Sequence, residues 1–570
     1  MTQTDDRREL DAGDRAAADG SPLDVMLTDA ALGPVRRLIP GKAGVKLAAQ
    51  LSRRPLVTVK AQAGVVRELG RIAVGRSQVE PTKRDRRFAD PAWTGNPLLR
   101  RICQAYLVGS SALEDLVEGA DLDWRSEQRM RFVVQMLVDA ASPSNNPLLN
   151  PAALKVGLDT GGRSYARGLK QFAQDMRSEP RIPSMVDGSG FTVGGNIAVS
   201  EGAVVLRTEV FELIHYRPRT ETVREIPLLL VPPMINKFYI ADLAPGRSMV
   251  EHLLDAGMQV FTISWRNPDA EHRGWNLDAY VRSVLSALEA VEEITGSDRS
   301  HLLGLCAGGI VSSLAVAHLA AAGEQHRIAG LTLGVTLLDQ ARAGTVGAMV
   351  DEGTARIAVS QSQRLGYLDG KALAGVFAWL RPNDLIWNYW VNNYLMGKRP
   401  PAFDVLFWNA DTTRMAAGLH KDFIRMSLAN SLVHAGALTV LGRQVDLGQV
   451  EVDSYIVAGQ TDHICPWDSC FRSAHLLGGQ SRFVLSTAGH IAALVNPPTS
   501  QKSSFQVNEA LPAGSEAWLA GAVKHPGSWW TDHVAWLHTR SGDERAAPEG
   551  LGSDAHPDIG AAPGTYVCQA

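Results

Sequence analysis

Between residues 85 and about 187, apolar side chains recur at helical spacing. Residues 99–107 and 130–137 place them three and four positions apart. Proline and asparagine punctuate these stretches at 141–147 and at Asn150-Pro151. No strand-rich stretch intervenes, so a helical N-terminal domain is predicted over 31–190. After about residue 190 the pattern changes. Short apolar runs at 203–206, 210–214, 228–231, 260–264, 301–305, 328–335, 452–457 and 483–485 alternate with helical stretches. Strands alternating with helices predict an α/β domain over 191–541, with a mostly parallel sheet covered on both faces. More than 110 residues separate the runs at 328–335 and 452–457. A βα connection needs a loop of only about 2–6 residues besides its helix. The surplus predicts an inserted lid subdomain at about 340–445. Residues 542–570, rich in Gly, Ala, Pro and Asp, predict a poorly structured tail.

Composition narrows the class. The chain has 570 residues, 45% hydrophobic and 20% charged, with net charge −4. That is globular composition, and it argues against nucleic-acid binding through overall charge. Five cysteines, an odd number, point to a reducing compartment rather than a disulfide framework. The first 24 residues hold seven acidic and three basic side chains and no apolar run. They predict a solvated acidic tail over 1–30 and no signal peptide. The densest apolar run, 226–235, is too short to span a bilayer and contains three prolines. Residues 31–84 carry twelve Lys/Arg against Glu68 and Glu80, interleaved with apolar residues. Such a segment is either a solvated helical face or one that lies on an apolar or anionic surface.

The candidate chemistry starts at Gly304-Leu-Cys306-Ala-Gly308-Gly309, between a predicted strand and a predicted helix. Gly-x-Cys-x-Gly has the spacing of a nucleophile elbow, with cysteine where serine is commoner. A sharp turn needs small residues on either side of the nucleophile. A helix starting beside the sulfur favours its thiolate. The Ala307 N–H is then placed as one oxyanion donor. A buried structural cysteine in a tight turn is the plainer reading of the pattern alone. Two partners follow in hydrolase order: Asp462, past the run 452–457, and His490, past 483–485. His463 reads as a loop residue beside that carboxylate, or else as a direct participant. His463, Cys465, Cys470 and His475 match no structural zinc spacing, so no metal is expected. His301 and His318 read as packing residues. The aromatics at 379–394 and 403–408 read as the core of the inserted helices, as a cap over an apolar channel, or as a subunit interface.

Together these motifs resemble the poly(3-hydroxyalkanoate) synthases, from about residue 40 to the C-terminus. The elbow resembles that family's cysteine-containing lipase-like box. Gly459-Gln-Thr-Asp462-His463-Ile-Cys-Pro-Trp467 resembles its aspartate motif, and Gly489-His490-Ile with Asn496-Pro-Pro498 its histidine motif. Val231-Pro-Pro-Met-Ile-Asn-Lys237, Ser264-Trp-Arg-Asn-Pro268 and Asn383-Asp-Leu-Ile-Trp387 are also family-like. Asp85-Arg-Arg-Phe88 and Pro563-Gly-Thr-Tyr-Val567 look most like the single-subunit, medium-chain class II enzymes. The resemblance implies an α/β-hydrolase fold and acyl transfer from a (3R)-3-hydroxyacyl-coenzyme A, which is substrate rather than cofactor. In that reading Cys306 is the nucleophile and His490 the base. Asp462 either orients His490 or assists the attacking hydroxyl. The oxyanion would be held by backbone N–H groups of Ala307 and of the loop carrying Met234 and Ile235. The resemblance also implies a homodimer on nascent polyester granules in the cytoplasm.

Overall fold

The computed structural model describes residues 30, 40–83, 85–340 and 352–569. The acidic tail expected at 1–30 lies outside them except for Ala30. The described chain forms two compact units. One comprises Ser189–Gly370 and Asp404–Ala570; the other comprises Leu32–Gly188 and Lys371–Phe403.

The first unit is built on a ten-stranded sheet. Its strands are β1 (Gly202–Arg207), β2 (Phe211–Tyr216), β3 (Leu228–Val231), β4 (Val260–Trp265), β5 (Ser300–Leu305), β6 (Ile328–Gly334), β7 (Ser454–Gly459), β8 (Ser481–Ser486), β9 (Ser504–Val507) and β10 (Val523–Pro526). Their spatial order is β1-β2-β4-β3-β5-β6-β7-β8-β9-β10. The run β4-β3-β5-β6-β7-β8 is parallel, and the outer pairs are antiparallel. Every residue of β3 through β7 is buried. Helices Leu277–Thr295, Ala307–Ala322 and Trp467–Ala474 pack against these strands. A strand covered on both faces has no polar side, so its sequence is a continuous apolar run. This is the α/β-hydrolase architecture that the motif order implies. Parallel strands bring their C-terminal ends to one edge, so the loops after β5, β7 and β8 gather there.

The insertion and the tail both differ from expectation. Residues 340–445 are not one lid subdomain. Helices Glu352–Leu365 and Ala417–Leu428 pack on each other within the sheet-bearing unit. Lys371–Phe403, with most of the aromatic cluster, belongs instead to the helical unit. The tail has few regular elements but is firmly held. Its strand Glu544–Ala546 pairs with Thr222–Arg224. The buried carboxylate of Glu212 on β2 accepts from the Thr565 and Tyr566 amides, each at 2.9 Å, from the Thr565 hydroxyl at 2.7 Å and from Arg207 at 2.7 Å. A buried carboxylate is tolerated only when so satisfied. The tail is anchored through its backbone, which composition does not reveal.

The helical unit contains helices Gly41–Arg53, Pro55–Ala73, Pro97–Gly119, Trp124–Ala140, Pro151–Asp159 and Arg163–Asp175. The Asn-Pro punctuation is capping chemistry. Asn96 accepts from the Leu98 and Leu99 amides, and Asn150 from the Ala153 amide, with proline at the first helical position each time. Ala43, Val117, Met130, Val134 and Val138 form one apolar cluster; Phe88, Trp93 and Cys103 form another. Two π-helical stretches, Asn383–Trp387 and Trp390–Leu395, carry much of the aromatic cluster. Trp387 and Trp390 meet edge to face at 5.9 Å, and Phe172 meets Tyr394 at 5.3 Å. With Tyr106 and Trp379 these rings line a cavity of about 850 Å³ within the helical unit, so they do not simply fill a core.

Candidate active site

Cys306 sits between the last residue of β5 and the helix Ala307–Ala322, at φ 50° and ψ −119°. A residue with a Cβ rarely adopts positive φ, and such strain persists only where the surroundings enforce it. Here the glycines enforce it by allowing very close approach. A Cβ on Gly304 would lie 2.5 Å from Gly309 Cα, and one on Gly308 would lie 2.3 Å from the Val231 carbonyl oxygen. A Cβ on Gly309 would lie 2.1 Å from Thr336 Oγ1. The turn is therefore clasped between β3 and the segment after β6, and its cysteine is turned out at the strand edge, partly accessible.

Asp462 and His490 are brought together with Cys306. β7 and β8 pair in parallel with Gly459 opposite Ser486, which brings their following loops side by side. Asp462 Oδ1 accepts from the Ile464 and Cys465 amides at 2.8 and 2.9 Å. Its Oδ2 lies 2.7 Å from His490 Nδ1. With Nδ1 held there, the imidazole keeps a ring nitrogen within 4.8 Å of the Cys306 sulfur. His490 and Asp462 are both buried.

Cys465, considered in the sequence only as an unconvincing zinc ligand, joins this group. Its sulfur, that of Cys306 and a ring nitrogen of His490 all lie within 4.8 Å of one another. The spacing of the motif gave no hint of this, because the loop after β7 must fold back to deliver it. Among the described residues, His463, Cys470 and His475 do not join it as a metal-ligating cluster. His301 and His318 pack in the body of the fold, His301 against Ser541 at 3.0 Å and His318 near the Val440 carbonyl.

These neighbours set the charges. The neighbouring Cys465 thiol lowers the Cys306 pKa well below its ordinary value; burial opposes this, and His490 and the Ala307 N–H add to the lowering. Burial pushes His490 down, but the Asp462 carboxylate and the Cys306 sulfur outweigh it and hold the imidazole up at about 10. Cys465 is pushed well above the usual thiol range, first by the neighbouring Cys306 sulfur and then by burial. These directions favour a thiolate at Cys306, an imidazolium at His490 and a protonated thiol at Cys465.

Ala307 follows the nucleophile directly, as the first residue of its helix. The chain leaving β3 passes against Gly308. Pro232 and Pro233 have no N–H, so the first donors after Val231 belong to Met234 and Ile235, in a turn buried beside the sheet.

Comparison with known proteins extends the reading to the whole chain. Residues 84–253 match the N-terminus of poly-beta-hydroxybutyrate polymerase (PhaC), and residues 228–497 match the alpha/beta hydrolase fold. Poly(3-hydroxyalkanoate) polymerase 1 of Ectopseudomonas oleovorans is 46% identical over 518 residues, covering 91% of this chain and 92% of that one. The poly(3-hydroxyalkanoate) polymerase subunit PhaC of Cupriavidus necator is 42% identical, covering 87% and 85%. The polymerase of Methylorubrum extorquens is 38% identical, covering 87% and 82%. At this identity, over more than four fifths of each chain, the chain belongs to the poly(3-hydroxyalkanoate) polymerase family.

Proposed function

We propose that the chain polymerises (3R)-3-hydroxyacyl-coenzyme A into polyester through an acyl group carried on Cys306. The observation that carries this is a cysteine on a strained elbow, paired with an imidazole that is itself held by a carboxylate. The Cys306 thiolate attacks the thioester carbonyl. The developing oxyanion is held by the Ala307 N–H and an N–H of Met234 or Ile235. Collapse expels coenzyme A, whose sulfur takes the proton from His490. A 3-hydroxyl then gives its proton to His490 and attacks the acyl-enzyme, forming one ester and freeing the cysteine. Exchange of thioester for thioester is nearly balanced in energy, which suits a cysteine. Asp462 orients the imidazole or assists the hydroxyl. These steps use protein groups and the substrates alone.

The growing product is apolar and insoluble, so an enzyme held at its surface keeps its chain end within reach. The basic and apolar helix Pro55–Ala73 supports attachment to the granule in the cytoplasm.

Coenzyme A release with identification of the acyl product tests the reaction. Polyester is expected; free 3-hydroxy acid would make the protein a thioesterase, and no release would make it a granule-surface protein. Cys306→Ala should abolish release with the fold retained, and Cys306→Ser should be nearly inactive, because a hydroxyl's pKa lies far above a thiol's. Normal polymer from folded Cys306→Ala would overturn the assignment.

A further inference from the structure

We propose that Cys306 and Cys465 form a reversible intramolecular disulfide when the enzyme meets a hydroperoxide, with Cys465 as the resolving thiol of the nucleophile. The two sulfurs and a His490 ring nitrogen already lie within 4.8 Å of one another. Among the described residues no other cysteine joins that group, so Cys465 is the thiol placed to meet Cys306. Cys465 is 5% exposed and its amide is fixed on Asp462 Oδ1, so neither solvent nor loop motion carries it away. In the acyl-transfer cycle Cys465 has no assigned task, and as a protonated thiol it does not compete for the acyl group.

The chemistry balances in two steps. The Cys306 thiolate attacks one oxygen of the hydroperoxide, the O–O bond breaks, and the departing alkoxide or hydroxide is protonated by His490. Sulfur is oxidised by two electrons to the sulfenic acid and the peroxide is reduced. The Cys465 sulfur then attacks the sulfenic sulfur. The S–S bond forms, the S–O bond breaks, and the hydroxide leaves as water with the Cys465 proton. A dithiol reverses the linkage by exchange. The pair must close to an S–S distance of about 2 Å. The benefit is that a reactive thiolate is diverted from the irreversible sulfinic acid. Cys470 is also buried nearby, but its thiol points at the Cys465 carbonyl oxygen, at 3.8 Å, rather than at the elbow.

The proposal rests on Cys306 being the reactive thiolate, and its readout is a peptide mass, so it is decided even if no polymer forms. The reduced full-length protein is treated with a several-fold molar excess of hydrogen peroxide, since the sulfinic acid needs a second equivalent, then blocked with an alkylating agent, digested without reductant and mapped by mass spectrometry. The expected result is a Cys306 peptide linked to a Cys465 peptide, with coenzyme A release lost and then restored by dithiothreitol. In Cys465→Val, and in Cys465→Ser as a second variant should valine disturb the loop, the linkage is absent. Cys306 then proceeds to sulfinic acid, and recovery falls about tenfold or more below wild type. The proposal is overturned if wild-type Cys306 becomes sulfinic while Cys465 is still alkylated, if Cys306 links to Cys470, Cys103 or Cys568 instead, or if both variants recover as wild type does.

Discussion

At Cys306 a single sulfur is shaped by three neighbours, and their charges make its reactivity a function of pH. A thiol of lowered pKa is thiolate above a pH well under the ordinary value of about 8.5. His490 stays protonated until about 10. The ion pair therefore exists between those limits and is lost as pH falls through the first or rises through the second. Alkylation of Cys306 by iodoacetamide, followed by peptide mass, should run flat through neutral pH with no inflection near 8.5. His490→Ala removes the cation and should move the inflection upward toward a normal thiol. Asp462→Asn removes the charge that raises His490, so its limb should move down from about 10. Inflections identical to wild type in both variants would remove the ion pair. The same Asp462→Asn enzyme separates the two roles left open for that carboxylate. If Asp462 only orients His490, acylation and elongation fall together, by about 10²–10⁴-fold. If it assists the hydroxyl, single-turnover labelling of Cys306 survives while steady-state turnover falls.

At the level of the element, the strand–turn–helix around Cys306 depends on what its glycines face. A Cβ on Gly308 meets backbone, the Val231 and Pro232 carbonyl oxygens at 2.3 and 2.6 Å, which cannot step aside. A Cβ on Gly309 meets the Thr336 side chain, which can be shortened. Gly308→Ala and Gly309→Ala should each cost about 1–3 kcal/mol or more through overpacking. Only the second should be rescued by Thr336→Ala, giving a non-additive double-mutant cycle in thermal melts. Additive losses for Gly309 and Thr336 would mean the turn relaxes by another route. The same contrast explains what could be read from the chain. β3 through β8 were legible because strands buried on both faces read as near-continuous apolar runs, although β8 opens with part-exposed Ser481 and Arg482. β9 and β10 were not, since Ser504–Val507 and Val523–Pro526 are short antiparallel additions with partly or largely exposed side chains, and no apolar run marks them. Cys306, Asp462 and His490 stood out because each follows a strand in hydrolase order. Cys465 did not, because its place depends on how the Asp462 loop folds back.

For the whole molecule, the basic N-terminal segment presents two different faces. One face of it packs: Val57 lies against Gly119, Lys46 pairs with Asp123 at 2.7 Å, and Arg54 pairs with Asp121. Deleting it would therefore remove support from the helical unit and confuse attachment with stability. The other face is accessible. Leu56, Val59, Val66 and Leu69 are 81%, 58%, 70% and 40% exposed and fall on one side of the helix Pro55–Ala73. Lys60, Arg67 and Arg71, also exposed, run alongside. An apolar stripe bordered by cations is the form of a helix lying in an interface. Each large apolar side chain is worth about 1.5–3 kcal/mol when fully buried. Replacing Leu56, Val59 and Val66 together by serine should thus lower co-sedimentation with polyester granules by more than about tenfold. Because these side chains touch solvent, melting temperature and coenzyme A release on a soluble substrate should stay near wild type. A companion variant, Lys60→Glu with Arg67→Glu and Arg71→Glu, reports the electrostatic share. If the granule surface is anionic, its loss of binding should be largest at low salt and shrink as salt screens the charges. Full granule binding by the serine variant would end the interfacial role of this helix, and a fall in melting temperature would show that the stripe is covered within the protein.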